Sequence, residues 1–255
     1  MEAKVSVIMP VYNGEKTIAH SIGSVISQTN PNWELIVIND ASSDATAQIV
    51  QEFAKNDPRI HLLTNKKNMG IAYSRNHGIQ AAQGQWVAFL DSDDSWHEDK
   101  LQKQTDHMTQ KSAKIAYTAT VYTNEKSQLS SYILPAGPET TYKDLLKANV
   151  MSCSSIMVTR DLMLRHPFPE GFMHEDYVVW LKILKEVGCA HGLDQPLLQY
   201  RMSATSKSGN RVKSAKMIFY SYRRVGYNGL LALLLTLRYA FHSISKRGKI
   251  RAGWL

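Results

Sequence analysis

The chain has 255 residues, 44% of them hydrophobic, and a formal net charge of +8. This length can bury a sizeable core in one large domain, or in one domain with an appendage. Its two cysteines, Cys153 and Cys189, form no metal-type pair, and no signal peptide precedes the first predicted strand. We therefore expect a protein of the reducing cytosol.

The charge is unevenly distributed along the chain. Asp194 is the last acidic residue, and twelve of the 30 Lys and Arg residues follow it, so residues 1–194 carry a net charge of −4. A basic tail on an acidic body favours contact with an anionic surface, either phospholipid headgroups or nucleic acid. Such a contact would weaken as salt is added.

The first ninety residues predict alternating strands and helices. Predicted strands cover Lys4–Val11, Glu34–Ile38, Ile60–Leu63 and Trp86–Leu90, and three helical segments lie between them. This order specifies a mainly parallel sheet with right-handed crossovers, in which ligands bind beyond the carboxyl ends of the strands. Polar residues follow three of these strands at that edge: Tyr12, Asn13, Asp40 and the run from Asp91 to Asp94.

The acidic run that follows the fourth strand suggests a metal site. Asp91, Asp93 and Asp94 place three carboxylates within four residues, and such a group repels itself unless a cation or a set of hydrogen-bond donors lies among them. A hard divalent cation is the simplest partner. The alternative is a solvated acidic turn in which Asp94 or Ser95 caps the next helix.

The second half of the chain is less regular. A helix is predicted to open at Met173-His174-Glu175-Asp176, and Asn124–Pro138 is predicted to be a loop or short hairpin. Further predicted elements are strands at Lys114–Thr123, Ser154–Thr159 and Leu197–Arg201, and a short helix at Thr141–Asn149.

Two helical segments, Val212–Gly226 and Gly229–Ser245, are predicted in the basic tail. The second has an apolar run of only about nine residues, too short to span a bilayer. Its basic flanks and aromatic residues suit a helix that lies in the headgroup plane. The alternative is a helical pair that packs on the body and exposes a basic face.

Five sequence blocks resemble family 2 glycosyltransferases with the GT-A fold. They are VSVIMPVYNGEKTI, IVINDASSDAT, NMGIAYSRNHGI, AQGQWVAFLDSDD and HEDYVVWLKIL, and the resemblance covers roughly residues 4–203. It implies an α/β fold with a Rossmann-like, mainly parallel sheet between helices. The catalytic domain would cover 1–208, with a nucleotide-sugar half of about 1–110 and an acceptor half of about 111–208, followed by a basic amphipathic tail at 209–255.

The resemblance also implies roles for individual residues in donor binding. Asp40 could accept the imide N–H of uracil and Tyr12 could stack on the base, although Asp40 could instead form an Asx turn. Arg75 would face the donor pyrophosphate, unless it is a solvated helix arginine. The implied donor-binding set is Pro10, Tyr12, Asn13, Asp40, Arg75, Asp91 and, over the pyrophosphate, Arg201.

The same resemblance assigns the metal ligands and the general base. Asp93, with Asp91 in support, would bind Mn²⁺ or Mg²⁺, which bridges the donor phosphates. Asp176 would be the base, with Asp94, His174 and Glu175 in supporting positions. At a helix N-terminus the dipole would keep Asp176 ionised and weakly basic. The alternative is an ordinary charge pair in the first turn of a helix.

The expected function is therefore a metal-dependent, inverting transfer from a UDP-sugar, either a UDP-hexose or a UDP-N-acetylhexosamine. The acceptor would be a hydroxyl of a polyprenyl-diphosphate-linked glycan in bacterial surface polysaccharide synthesis, with the tail on the anionic inner face of the membrane. Three alternatives are weaker. A dinucleotide oxidoreductase would need the motif G-x-G-x-x-G after the first strand, and a sugar nucleotidyltransferase would need a Gly-rich basic loop there. This chain has only Gly14 at that place. A nucleic-acid-binding protein would need a basic body, so no nucleic-acid partner is predicted.

Overall fold

The computed structural model describes residues 4–126, 128–171, 174–202 and 211–254. Met173 and the predicted domain boundary at residue 208 lie outside the described residues. The other predicted elements can be compared with the structure.

The first part of the chain, predicted as the nucleotide half, is built on four parallel strands. These are β1 (Val5–Val11), β2 (Trp33–Asn39), β3 (Ile60–Thr64) and β4 (Trp86–Phe89). They are adjacent in the order β3-β2-β1-β4, and every residue of β1, β2 and β4 is buried. Their hydrophobic runs are typical of strands covered on both faces, and the parallel sheet is confirmed.

The sheet continues into the second half of the chain through an antiparallel strand. Here β9 (Ile156–Thr159) pairs with both β4 and β6 (Ile115–Thr123). Then β10 (Cys189–Arg201) follows β6, so this strand begins eight residues before the predicted start at Leu197. The segment Asn124–Pro138, predicted as a loop or short hairpin, contains β7 (Leu129–Leu134), which forms a hairpin with β6. The remaining strands are β5 (Ser95–Trp96) and β8 (Glu139–Thr141).

Helices cover both faces of the sheet. Those of the nucleotide half are α1 (Ile18–Ile26), α2 (Thr46–Asn56), α3 (Ile71–Ala81) and α4 (Lys100–Gln110). Those that follow are α5 (Tyr142–Leu145), α6 (Arg160–Arg165), α7 (Glu175–Val187), α8 (Arg211–Arg224) and α9 (Gly229–Ala252). One apolar core lies beside α1, α2 and α4, and the other lies beside α3 and α7.

Two predicted helix boundaries were wrong, and the alternative in which Asp94 or Ser95 caps the next helix does not hold. That helix begins at Lys100, after Asp99, whose side chain makes no capping hydrogen bond, because Ser95 belongs to the short strand β5 and Asp94 is buried before it. The short helix predicted at Thr141–Asn149 covers only four residues. The last helix extends seven residues beyond its predicted end at Ser245.

The two C-terminal helices pack on the catalytic body. Tyr222 of α8 is fully buried, and its hydroxyl donates to the Leu146 carbonyl at 2.8 Å. The same hydroxyl lies 3.2 Å from the hydroxyl of Tyr177 on α7, whose ring contacts Tyr239 of α9. The predicted alternative of a packed helical pair therefore describes the inner side of this segment.

The outer side of α9 is apolar and exposed. Leu230, Leu234, Leu237, Phe241 and Ile244 recur at helical spacing and are between 53% and 75% exposed. Ala232 and Thr236 lie on the opposite side and are buried. Within the described part of the chain, no helix is both long enough and apolar enough to cross a bilayer.

Candidate active site

The acidic loop after β4 is anchored through Asp94. The Arg201 amide donates to Asp94 Oδ1 at 2.9 Å, and the Ser154 hydroxyl donates to Oδ2 at 2.6 Å. Asp94 is 1% exposed, and its burial, with the nearby charges of Asp93 and Asp91, raises its pKa well above the usual carboxyl range. Asp94 therefore holds the loop in place, and Asp91 and Asp93 are the carboxylates that face outward.

Two serines that the sequence patterns did not identify complete this anchor. The Ser21 hydroxyl donates to the carbonyls of Ser92 at 2.9 Å and Asp94 at 2.7 Å. The Ser154 hydroxyl also accepts from the Asp91 amide at 3.1 Å. Both serines come from distant elements, α1 and the turn before β9, and serine is too common for either position to signal this role.

Arg75 connects the acidic loop to the start of α7. Its guanidinium donates to Asp91 Oδ1 at 2.7 Å and to Glu175 Oε1 at 2.8 Å, and its side chain is only 3% exposed. The guanidinium carbon also lies 5.3 Å from the centre of the Phe168 ring. Arg75 was predicted to contact the donor pyrophosphate. Because its guanidinium is buried between two carboxylates, this arrangement favours a role within the protein instead.

The pKa of Asp176 is raised, contrary to the weak base that the helix dipole predicts. Burial is the largest cause, and the charge of Asp91 adds to it, while Arg75 and the Tyr177 amide act in the opposite direction. That amide donates to Asp176 Oδ1 at 2.8 Å. Desolvation thus outweighs the helix terminus, and Asp176 is a stronger base than an exposed aspartate.

The residues beside Asp176 have different surroundings. Glu175 is buried against Arg75, and burial raises its pKa although the guanidinium charge lowers it. His174 is the residue before α7, and its backbone is in the left-handed region with a φ of 62°. Its Nε2 lies 3.2 Å from the Ser214 hydroxyl on α8. Glu175 thus supports the charge cluster, and His174 contacts the C-terminal helices.

The loops after β1 and β2 are joined at the opposite side of the site. The Asn13 amide donates to Ser42 Oγ at 2.9 Å, and Asn13 Oδ1 accepts from the Ser43 amide at 2.9 Å. Pro10 is buried in β1, and Tyr12 follows that strand with 53% of its surface exposed. An exposed ring at a strand end is available for stacking, and the role of Tyr12 in binding a base stays a prediction.

Asp40 fixes the segment that leads into α3. It is 4% exposed, and it accepts from the amides of Met69 and Gly70 and from the Asn65 side chain, each at 2.8 Å. Gly70 has a φ of 88°, which favours glycine. A carboxylate offers roughly four acceptor positions, so about one remains for a ligand.

The acidic loop can supply part of a coordination shell for Mn²⁺ or Mg²⁺. Asp93 is exposed and the Asp91 side chain is 28% exposed, and both offer the hard oxygen ligands that these ions prefer. In the described residues, the loop does not bring three carboxylate oxygens within 4.8 Å of one another. An ion held here would therefore take further ligands from water or from phosphate oxygens, as Mg²⁺ commonly does.

Comparison with known proteins identifies the family. The family described as "Glycosyl transferase family 2" matches residues 6–164. The chain belongs to this family. The match covers β1 to α6, which includes the acidic loop, Arg75 and Ser154 but ends before Asp176.

Two curated relatives of this family 2 chain extend over most of its length. TuaG of Bacillus subtilis, whose name assigns it provisionally to teichuronic acid biosynthesis, is 35% identical and covers 95% of this chain and 97% of its own. WfgD of Escherichia coli is 40% identical and covers 83% and 82%. It is named as a UDP-Glc:α-D-GlcNAc-diphosphoundecaprenol β-1,3-glucosyltransferase.

Solved structures with the same fold include two complexes with sugar nucleotides. TarS of S. aureus, residues 1–349 with UDP-GlcNAc, has a TM-score of 0.72 at 20% identity and covers 91% of this chain and 70% of its own. The mannosyltransferase PcManGT of Pyrobaculum calidifontis, with GDP-Man and Mn²⁺, has a TM-score of 0.69 at 18% identity and covers 99% and 73%. These likenesses confirm the predicted GT-A fold, and the family match excludes the oxidoreductase and nucleotidyltransferase alternatives.

Proposed function

We propose that this family 2 glycosyltransferase transfers a hexose from a UDP-sugar to a hydroxyl of a polyprenyl-diphosphate-linked glycan, with inversion at the anomeric carbon. The observation that carries the proposal is the double ion pair of Arg75. One guanidinium joins Asp91 of the acidic loop to Glu175, which precedes Asp176. The donor-side acids and the candidate base, 85 residues apart in sequence from Asp91 to Asp176, therefore belong to one cluster.

Donor binding rests on the loops after β1, β2 and β4. The exposed ring of Tyr12 would stack on uracil, the remaining acceptor position of Asp40 would take the imide N–H, and Asn13 would keep the two loops together. Asp93 and Asp91 would hold Mn²⁺ or Mg²⁺, which supplies charge stabilisation to the departing diphosphate. Arg201 would approach that diphosphate from the end of β10, where its backbone amide is bonded to Asp94. Its guanidinium donates to the Glu125 carbonyl at 2.6 Å and would have to leave that carbonyl to reach the phosphates.

Asp176 would act as the general base. It would accept the proton of the acceptor hydroxyl as the oxygen attacks the anomeric carbon, while the bond from that carbon to the UDP oxygen breaks. Burial makes Asp176 more basic than an exposed aspartate, and the Arg75 charge opposes that increase in its pKa. A single base with a single displacement gives a β-linked product from an α-linked donor.

The relatives make glucose the first donor to test. WfgD and WfaP of Escherichia coli are both named as glucosyltransferases that use UDP-Glc and an α-D-GlcNAc-diphosphoundecaprenol acceptor. We extend the UDP-sugar, the lipid-linked acceptor and a place in surface polysaccharide synthesis to this chain on that basis.

The acceptor's lipid would bring the enzyme to the anionic inner leaflet through α9. The exposed apolar residues of this helix form a continuous strip, and Lys216, Arg223, Arg224, Arg238 and Lys249 are exposed on α8 and α9. Apolar side chains beside basic residues suit the headgroup region of an anionic membrane. Because the inner side of the pair packs on the body, docking would bring the catalytic domain to the same surface.

The experiment is a transfer assay with UDP-glucose, UDP-galactose and the UDP-N-acetylhexosamines on a polyprenyl-diphosphate-GlcNAc acceptor, with and without Mn²⁺. We expect transfer from one UDP-hexose, dependence on the divalent ion, and a β-linkage by NMR of the product. The variant Asp93→Ala should lose metal-dependent transfer.

A matched control is available on α6. Asp161 lies at an exposed position, 75% accessible and outside the cluster, so Asp161→Asn should transfer at the wild-type rate. An α-linked product would refute the single displacement. Full activity of Asp93→Ala would refute the role of the acidic loop.

A further inference from the structure

A second group of metal-ligating side chains lies away from the acidic loop. Cys189 and His191 are two residues apart on β10 and therefore lie on the same face of that strand, and Glu139 of β8 is the cross-strand partner of His191. Each of the three offers one ligand atom within 4.8 Å of the other two. Cys189 Sγ lies 3.9 Å from His191 Nε2, and His191 Nδ1 lies 3.9 Å from a Glu139 carboxylate oxygen.

His107 of α4 lies next to this group and has a buried ring nitrogen that could bind the same ion. The centre of its ring lies 6.5 Å from that of His191, at an interplanar angle of 70°. Its Nε2 is buried, and it has no hydrogen-bond partner in the described part of the chain. Buried polar nitrogens without a partner are uncommon and costly, and coordination to a metal would remove that cost.

We propose that Cys189, His191 and Glu139 bind a divalent transition-metal ion, with Zn²⁺ the expected ion and His107 the expected fourth ligand. Thiolate, imidazole and carboxylate are all zinc ligands, and four of them fill the tetrahedral shell that structural zinc prefers. The Sγ to Nε2 distance of 3.9 Å is close to the roughly 3.6 Å across a tetrahedral zinc ion. His107 is close enough to approach the cluster by a side-chain adjustment, and in the described part of the chain its Nε2 has no hydrogen bond to lose.

The chemistry of these ligands separates this site from the acidic loop. Sulfur and imidazole favour Zn²⁺ over Mn²⁺ or Mg²⁺, whereas the loop offers only oxygen. The two sites also lie at opposite ends of β10, because the cluster is at Cys189 and the amide that anchors Asp94 belongs to Arg201. A bound ion would fasten β8, β10 and α4 together, so its role would be structural and would go beyond the proposed transfer.

Cobalt provides a direct probe of this site. The full-length protein, treated with a chelator and dialysed, is titrated with Co²⁺ and then with Zn²⁺. We expect one Co²⁺ ion with visible bands of tetrahedral geometry and a near-ultraviolet thiolate-to-cobalt band, both lost when Zn²⁺ displaces it. In Cys189→Ser the thiolate band should disappear, and in His191→Ala and His107→Ala zinc affinity should fall roughly tenfold or more.

Matched variants make the test specific. Cys153→Ser removes the other cysteine, which is buried elsewhere, and should keep the thiolate band. Asp93→Ala should keep zinc binding even if it loses transfer, so the two proposals can fail separately. Glu139→Gln changes an exposed side chain and should weaken zinc binding without unfolding the chain. The proposal is refuted if the wild-type protein shows no thiolate band, or if the band survives Cys189→Ser.

Discussion

Two parts of this molecule depart from the usual distribution of side chains in opposite directions. Around Arg75 three charged groups are largely withdrawn from water, with exposed side-chain fractions of 3% for Arg75, 28% for Asp91 and 10% for Glu175. Along α9, large apolar side chains are left in water. The two parts differ in whether the unfavourable exposure or burial of their side chains is offset within the chain. The charges pair with one another inside the chain, whereas the described residues do not cover the apolar strip of α9.

The largest effect is expected from the candidate base. Asp176→Asn removes the proton acceptor but keeps the size of the side chain, so transfer should fall roughly 10²- to 10⁴-fold while UDP binding persists. Initial rates and a UDP-dependent thermal shift measure the two effects. A rate within a few-fold of wild type would show that the charge cluster does not carry the chemistry.

Removal of Arg75 tests the internal compensation directly. Arg75→Ala leaves Asp91 and Glu175 without their shared partner, and breaking a buried ion pair costs roughly 3–5 kcal/mol of unfolding free energy. Urea denaturation at neutral pH measures this loss. The control Arg165→Ala removes an exposed arginine that also contacts two acids, and should cost much less.

The same variant has a defined pH dependence. Burial raises the pKa of Glu175 in the folded chain, and Arg75 opposes that increase. Without Arg75 the pKa of Glu175 in the folded chain rises further above its unfolded value. Ionisation of Glu175 then lowers the free energy of unfolding as pH rises from the unfolded pKa to the folded pKa, and it has no effect below the unfolded pKa. The deficit of Arg75→Ala should therefore shrink at acid pH. A deficit that is constant with pH would mean that lost packing, and not charge, is responsible.

The exposed strip of α9 predicts a smaller effect on vesicle binding. Leu234→Ser with Phe241→Ser should reduce co-sedimentation with anionic vesicles by tenfold or more, since each buried apolar side chain contributes roughly 1.5–3 kcal/mol. Leu164→Ser provides the control, because Leu164 is 46% exposed but lies on α6. Equal loss in both variants, or no loss in either, would remove the membrane role from this strip.

The acid limb of the pH–rate profile should also move. The pKa of Asp176 is raised by burial above the ordinary value of 3.8, and the carboxylate must be ionised to accept a proton. The rate constant kcat/KM should therefore fall as pH decreases through a value above 3.8. Measurements with the acceptor saturating would detect the limb. A limb at or below that value would indicate that Asp176 is as exposed as an ordinary aspartate.

The smallest effect concerns the packing of α8 on the body. Tyr222→Phe deletes a buried hydroxyl that donates to the Leu146 carbonyl, and should cost about 1 kcal/mol of unfolding free energy. Tyr220→Phe changes a tyrosine that is 42% exposed on the same helix and should be neutral. If both variants are neutral, the inner side of the helical pair contributes less to stability than its contacts imply.

The nucleotide half was predictable because its signals are local. Strands buried on both faces read as hydrophobic runs, and the polar residues after them must meet at one edge of the sheet. The start of β10 was missed because Cys189–Pro196 mixes polar residues with Gly and Pro, and the register of β10 shifts twice against β6. Helix ends were missed in both directions, because α5 stops after four residues whereas α9 continues past its predicted end at Ser245.

The charge cluster was only partly predictable. Asp91, Arg75, Glu175 and Asp176 could each be selected from a motif, but nothing in the spacing states that Arg75 faces Glu175, which is 100 residues further along the chain. Ser21 and Ser154 carry no pattern at all. The basicity of Asp176 was predicted with the wrong sign because the helix terminus is visible in sequence, whereas the burial that outweighs it depends on the tertiary structure.

The shared guanidinium has a consequence for how this chain can diverge. If Asp91 were replaced during evolution, Arg75 would keep a surplus charge beside Glu175, and replacement of Glu175 would have the same effect beside Asp91. The three positions should therefore tolerate simultaneous replacement better than sequential replacement, and the stability losses of single and double variants should not add. Sequence change at any one of these three positions is therefore constrained by the other two, although they are far apart in the sequence.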